Sequence, residues 1–250
     1  MSLRRAEGGR ARLYRPVALD SIAPAVQTAV LTGEDARFWN HAGVDFQEVR
    51  RALGYRRATF EWTSGRDRAE LWRIAGRTLV SGEGLRGAST ITQQVAKNLY
   101  LSPSRSLLRK RKMKEAVIAY RLERTLGKRR ILELYLNIAE LGDGIWGVEA
   151  ASRKYFNTSA WRLNTTQAAA LAATLPFPLR SNPRYHPSRM LRRQDLILRR
   201  MRGEPVYVPP VEEEPRPQPG DSILWSPGMD SLLDSLQAPI ETLPPPTATH

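Results

Sequence analysis

The chain has 250 residues, 41% of them apolar, which is enough for one domain with a sizeable core plus appendages. It contains no cysteine, so disulfides, thiolate metal sites and a cysteine nucleophile are excluded. The net charge of +14 calls for a polyanionic partner: nucleic acid, phosphate groups or an anionic membrane surface. The charge is uneven. Residues 203–250 hold eight acids and one base, Arg216, so the first 202 residues carry +21. No run reaches the ~18 apolar residues of a membrane span. The basic start MSLRRAEGGRARLYRP has no apolar segment behind it and is not a signal peptide. Either the protein is not exported, or its export segment lies outside this sequence.

Residues 1–16 are rich in Arg and Gly and read as a flexible basic N-terminus. Ile22, Val26, Val30 and Leu31 then recur at helical spacing, with Ser21 as the expected N-cap and Pro24 in the first turn. This helix delivers EDARFWNHAGVD, which packs Glu34, Asp35, Arg37, two aromatics and His41 into a short run ahead of Asp45. Taken alone, Glu34-Asp35 reads as a helix-terminal pair on a solvated face. His41 has no metal-ligand spacing to another His or to a Cys and reads as a hydrogen-bonded structural histidine. FQEVRRAL, residues 46–53, predicts a short amphipathic helix. Between Gly54 and Gly84 arginines alternate with Tyr55, Phe60, Trp62 and Trp72, a mixture that suits a lipid headgroup interface or caps a core.

GASTITQQVAKN, from Gly87 to Asn98, is rich in small, hydroxyl and amide side chains that can offer neutral donors and acceptors to a sugar. From Ser104 to Arg130 there are eleven bases and two acids, Glu115 and Glu123, and an apolar stripe of Val117, Ile118, Leu122 and Leu126 predicts a helix with one buried face. So many bases repel one another on a bare helix, which argues for an anionic ligand. Gly127 is expected to end or kink this helix, and Arg129–Leu141 to continue it as a core helix apolar nearly all round. Gly142–Gly147 reads as a Gly-rich turn. It lacks the spacing of a dinucleotide loop. A short helix over 147–156, an Ala-rich helix starting at Thr165-Thr166 and a basic amphipathic helix over Arg189–Met201 follow. Beyond Gly203 the composition shifts, with eleven of the 18 prolines in residues 203–250, the signature of a disordered acidic tail. Period-2 alternation is nearly absent, so the fold class expected is all-α.

Two acids, a hydroxyl/amide patch and a cationic helix point to acid/base chemistry on a sugar that bears phosphates. A carboxylate within hydrogen-bond reach can deprotonate a hydroxyl nucleophile. Fixed positive charge stabilises a departing diphosphate. The residues by themselves leave other readings open. The basic body allows a helical nucleic-acid-binding protein. Paired carboxylates allow a lytic, lysozyme-like glycan hydrolase.

The segments EDARFWNHAGVD, GASTITQQVAKN, RKMKE, ILELYLN and GVEAASRKYF are similar, in order, to the signature motifs of the family 51 glycosyltransferases, the peptidoglycan polymerases. The resemblance spans roughly residues 20–202, and the ending LPFPLRSNP resembles the monofunctional biosynthetic transglycosylases. It implies a lysozyme-like, two-lobe helical domain over 17–202 that polymerises lipid II into β-1,4-linked glycan with release of undecaprenyl diphosphate. In that scheme Glu34 is the general base and Glu115 orders the donor diphosphate side. Lys97, Arg105 and Lys114 fall on phosphate-binding bases, Ser89, Gln93 and Gln94 on polar cleft positions, and Arg37 on a basic position of the first motif. No cofactor is demanded, although the resemblance leaves room for a divalent cation, Mg2+ or Mn2+, at Glu115. The partners implied are lipid II, the growing glycan strand, the membrane surface and proteins of cell-wall synthesis or division, and not nucleic acid. The location implied is the inner (cytoplasmic) membrane, with the site on its outer, periplasmic face.

This sequence also departs from the pattern. Gly87-Ala88-Ser89 stands for the usual Gly-Gly-Ser. Arg109-Lys110-Arg111-Lys112 offers two frames for the basic motif, of which only Arg111–Glu115 ends on an acid, so Arg105 sits off register. The segment between Asp45 and Gly87 is longer than usual, and the membrane anchor expected upstream is not in this sequence.

Overall fold

The computed structural model describes residues 13–52, 63–70, 72–73, 89–101 and 108–208. Its helices are α1 (Pro24–Glu34), α2 (Phe46–Ala52), α3 (Ile91–Tyr100), α4 (Leu108–Ile138), α5 (Val148–Phe156), α6 (Thr165–Thr174) and α7 (Ser188–Met201), with a further helical turn over 65–70. The described residues are thus mostly helical, as the apolar periodicity requires. The acidic tail beyond Val208, most of the Arg/aromatic stretch and Arg105 lie outside them.

Two groups of helices form. α1 packs against α6 and α7, and α3 lies along α4. Every residue of α6 from Ala168 to Thr174 is buried, and its alanines let the two neighbouring helices approach closely. α7 buries Met190, Arg193, Gln194 and Ile197, a single stripe at helical spacing, and turns its other arginines outward or halfway out. Capping boxes start α3, at Thr90 with Gln93, and α6, at Asn164 with Gln167. The expected N-cap of α1, Ser21, is instead the last residue of a 3-10 turn over Leu19–Ser21. Ala23 takes the cap position with no side-chain bond, and Pro24 at the first turn has no N–H to satisfy.

Gly127 breaks α4 as anticipated. Its φ of 71° and ψ of 161° lie outside the helical range, in backbone space that side chains with a Cβ disfavour. Beyond the kink the helix ends at Ile138 and not at Leu141. Leu141 sits in a small sheet that the missing period-2 alternation did not announce. β2 (Glu140–Gly142) pairs antiparallel with β3 (Ile145–Trp146), and β1 (Leu13–Tyr14) runs parallel to β3 on its other side. Leu13 and Tyr14, counted from sequence with a flexible N-terminus, are therefore part of the sheet. The following segment is pinned to α4 by two ILELYLN side chains. Asn137 accepts from the Val17 amide at 2.8 Å and donates to its carbonyl at 2.9 Å, and Glu133 accepts from the Leu19 amide at 2.8 Å. Among the described residues no helix is long and apolar enough to cross a membrane.

Candidate active site

Glu34 is the last residue of α1, where the two helix groups meet. Its carboxylate is held from both sides. Gln94 Nε2, from α3, donates to Oε2 at 3.1 Å, and Arg193 Nη2, from α7, lies 3.3 Å from Oε1. The side chain retains 12% exposure, enough to be reached but little enough to be largely dehydrated. Tyr135, from the second half of α4, completes the chain by donating its hydroxyl to Gln94 Oε1 at 3.1 Å. With that oxygen occupied, the Gln94 amide can only turn its NH2 toward Glu34. Burial, then the negative charges of Glu34 and Asp35, raise the Tyr135 phenol well above its usual range, so it stays protonated and donates. Burial likewise raises Glu34 above the ordinary carboxylate range, against the lowering by Arg193 and Gln94 and with a smaller push from Asp35. A base shifted upward in this way is a stronger proton acceptor nearer neutral pH.

The neighbouring acid has a different task. Asp35 is buried and accepts from the Ile91 amide at 3.0 Å, the first residue of α3. Its two oxygens stand 3.0 and 3.1 Å from His41 Nε2. A carboxylate at a helix N-terminus meets both unpaired amides and the positive end of the dipole. Thr90 adds a second tie by donating its hydroxyl to the Gly43 carbonyl at 2.6 Å. Asp35, His41, Gly43 and Thr90 therefore fasten the first motif to the start of α3, and this brings Gln94, one turn further on, to Glu34. His41 has the structural place its spacing suggested.

Glu115 is 1% exposed and lies 2.9 Å from Lys112 Nζ, on its own helix. Lys112 Nζ also donates to Ser89 Oγ at 2.6 Å, so one ammonium joins the start of the Ser/Thr/Gln segment to the second acid. Of the two lysines in RKMKE, it is Lys112 that makes this bridge, while Lys114 is exposed. Lys97 lies half-buried in the last turn of α3. Gln93 gives its Oε1 to the Thr90 amide at 3.0 Å and so caps α3. Arg37 Nε stands 3.0 Å from Asp45 Oδ2, and its Nη1 donates to Gln47, which ties it to α2. Arg105 lies outside the described residues. At Glu115 the described residues gather no set of donors for a divalent cation. Lys112 already occupies the carboxylate, and among the described residues no three His, Cys, Asp or Glu side chains gather in one place.

Sequence reasoning missed two members of this site. Tyr135 stood among the core residues of ILELYLN, and a lone hydroxyl in that aliphatic run was the available signal. Arg193 was counted with the basic face of the last helix. Its place in the stripe of Met190 and Ile197 could have singled it out.

Fold and site together define a helical protein with a dehydrated carboxylate oriented by an amide and a guanidinium, beside a cationic helix that holds a second buried acid. The family described as Transglycosylase matches residues 3–65 and 57–202, and the chain belongs to that family. It is 41% identical over 209 residues to penicillin-binding protein 1A of Aquifex aeolicus, covering 83% of this chain and 25% of that protein. It is 48% identical over 173 residues to a biosynthetic peptidoglycan transglycosylase of Bordetella pertussis, covering 69% and 61% of the two. A biosynthetic peptidoglycan transglycosylase of Marinomonas sp. is 43% identical over 198 residues, 79% of this chain and 77% of that protein. The chain thus spans a quarter of the Aquifex relative and less than two thirds of the Bordetella one.

Proposed function

We propose that the protein is a peptidoglycan glycosyltransferase that polymerises lipid II into β-1,4-linked glycan strands. The observation that carries this reading is Glu34, a carboxylate raised by burial and held by Gln94 and Arg193 at the junction of the two helix groups. Family membership and the relatives' names support the substrate class.

In the proposed reaction Glu34 takes the proton of the acceptor's GlcNAc 4-hydroxyl. The freed oxygen attacks C1 of the donor MurNAc from the face opposite the leaving group. The new C1–O4 bond forms, the bond from C1 to the lipid diphosphate breaks, and the anomeric centre inverts. Undecaprenyl diphosphate departs with the electron pair. Its charge is met by fixed cations, for which Lys97, Lys114 and Arg105 are the candidates, and Lys114, exposed on α4, can reach a ligand without breaking an internal pair. Glu115 acts through Lys112, which it holds toward Ser89. Gln94 orients the base, and Gln93 and Arg37 shape the surrounding loops. Work on a lipid-linked substrate puts the protein at the cell envelope, on the outer face of the cytoplasmic membrane.

The nucleic-acid reading explains the basic body but gives no reason for a buried, oriented Glu34. A hydrolase acting on neutral glycan needs no cationic helix. The test is incubation with labelled lipid II followed by gel separation of the products. A ladder of glycan strands that depends on the protein is expected. Muropeptide release from purified sacculi with no ladder would overturn the proposal.

A further inference from the structure

α7 is dense in arginine, and Arg189 and Arg192 point to solvent while Arg199 and Arg200 are half-buried. Arg193 departs from this pattern, with only 6% of its side chain exposed. Burying a guanidinium costs several kcal/mol unless hydrogen bonds and an opposite charge compensate. Both compensations lie at the end of α1. Nη2 donates to the Gly33 carbonyl at 2.7 Å and reaches Glu34 Oε1 at 3.3 Å. The Gly33 carbonyl belongs to the last turn of a helix, where the ladder has run out and the dipole is negative. Close approach of the two helices makes the contact: a Cβ on Gly33 would stand 3.0 Å from Ile197 Cδ1, one turn along α7 from Arg193.

We infer that Arg193 is a positioning residue for the proposed base, its guanidinium clamping the Glu34 carboxylate to the end of α1 and holding it ionised in a dehydrated site. The inference rests on Glu34 being the base. Among the described residues the groups facing Glu34 are few. Arg193 comes from α7, Gln94 from α3 and the Tyr135 hydroxyl from α4, and Asp35, itself paired with His41, lies on the same segment. Of these, Arg193 is the cation. With Oε1 fixed by Arg193 and Oε2 by Gln94, the carboxylate cannot swing away, and each oxygen keeps a second lone pair that can take a proton. An arginine suits the place because it does not lose its own charge at any pH where the base works. Being almost wholly buried, it offers little surface to substrate, so it acts on turnover and not on binding.

The sign of the electrostatic effect follows. Arg193 favours the carboxylate, so removing it raises the pKa of Glu34 further, and the acidic limb of the rate profile moves to higher pH. The experiment uses the full chain with labelled lipid II, measuring kcat, KM and the pH profile for Arg193→Met and Arg193→Lys, with thermal melts alongside and Glu34→Gln as the control. For Arg193→Met the expected result is a kcat lower by about tenfold or more, a KM within about twofold and an acidic limb displaced upward by about one unit or more. Arg193→Lys keeps the charge but loses the fork, so its limb returns toward the parent while kcat stays several-fold low. A parental limb and kcat in Arg193→Met, with Glu34→Gln inactive, would overturn the inference and leave Arg193 as a helix cap. If Arg193→Met does not fold, Arg193→Lys decides: parental kcat overturns the inference, and a low kcat with a near-parental limb upholds it. Turnover by Glu34→Gln would instead sink the reading of Glu34 as base, which keeps the two failures apart.

Discussion

Glu34 and Glu115 are both acids withdrawn from water and both face a cation, but their surroundings are built in different ways. Glu115 is met by a lysine three residues away on the same helix, and that lysine's onward bond to Ser89 is long-range. Glu34 is met by Gln94, 60 residues along the chain, and Arg193, 159 residues along it. The local pair satisfies a charge inside a helix. The assembled one orients a charge at the end of a helix, where it keeps some exposure and is shifted toward neutral pH. The first arrangement suits an acid that holds other groups in place, and the second an acid that exchanges a proton.

The strongest way to break this comparison is at Glu34. Glu34→Gln is expected to lower glycan polymerisation by about 10²–10⁴-fold, because a carboxamide cannot take the proton. The same substitution leaves Arg193 without the opposite charge of Glu34, a cost that does not vary with pH, and on top of it the stability of the variant relative to the parent should gain as the pH rises. The native state favours the protonated form of Glu34, since its pKa is raised there, so the ionised carboxylate is a liability above its unfolded-state pKa. As the pH falls below that value this gain should vanish. Melting curves for parent and variant that stay parallel at every pH would show that Glu34 is not dehydrated in solution.

At the second acid, Lys112→Met withdraws the ammonium from a buried carboxylate and from Ser89. A loss of about 2–3 kcal/mol in denaturant unfolding is expected, less than for a fully buried pair because Lys112 is a quarter exposed. A double-mutant cycle with Glu115→Gln should return a coupling of about 1 kcal/mol or more. Zero coupling would mean that the two side chains do not act as a pair. Thr90→Val removes both the cap of α3 and the bond to the Gly43 carbonyl, and should cost about 1–2 kcal/mol in the same measurement. Lys114→Ala should leave stability within about 0.5 kcal/mol, as the side chain is exposed, and should show its effect in lipid II turnover alone. Unchanged turnover would remove Lys114 from the diphosphate site and leave Lys97 and Arg105 as the candidates.

Much of the helical frame was legible before any tertiary contact was known. FQEVRRAL became Phe46–Ala52, the last helix runs Ser188–Met201 against the expected Arg189–Met201, and Gly127 breaks α4 where its missing side chain allowed. These features depend on an apolar stripe repeating every few residues and on single residues with restricted or unrestricted backbones, which are local properties. The sheet was not legible. Strands of two and three residues are too short to show alternation, and β1 pairs with a strand more than a hundred residues away. Nor could RKMKE say which lysine bridges and which is exposed, since that depends on where helix α4 meets the segment at Ser89.

The sequence by itself determined which residue types are at hand for the proposed chemistry: carboxylates that can accept a proton, and Lys and Arg that can meet a diphosphate. It determined the helices that carry them as well. Only the tertiary structure decided how the two acids differ. Burial, and the distant side chains that burial brings within hydrogen-bond reach, shift the pKa of Glu34 and fix its direction. Those partners are neighbours only because α3, α4 and α7 all pack around the end of α1.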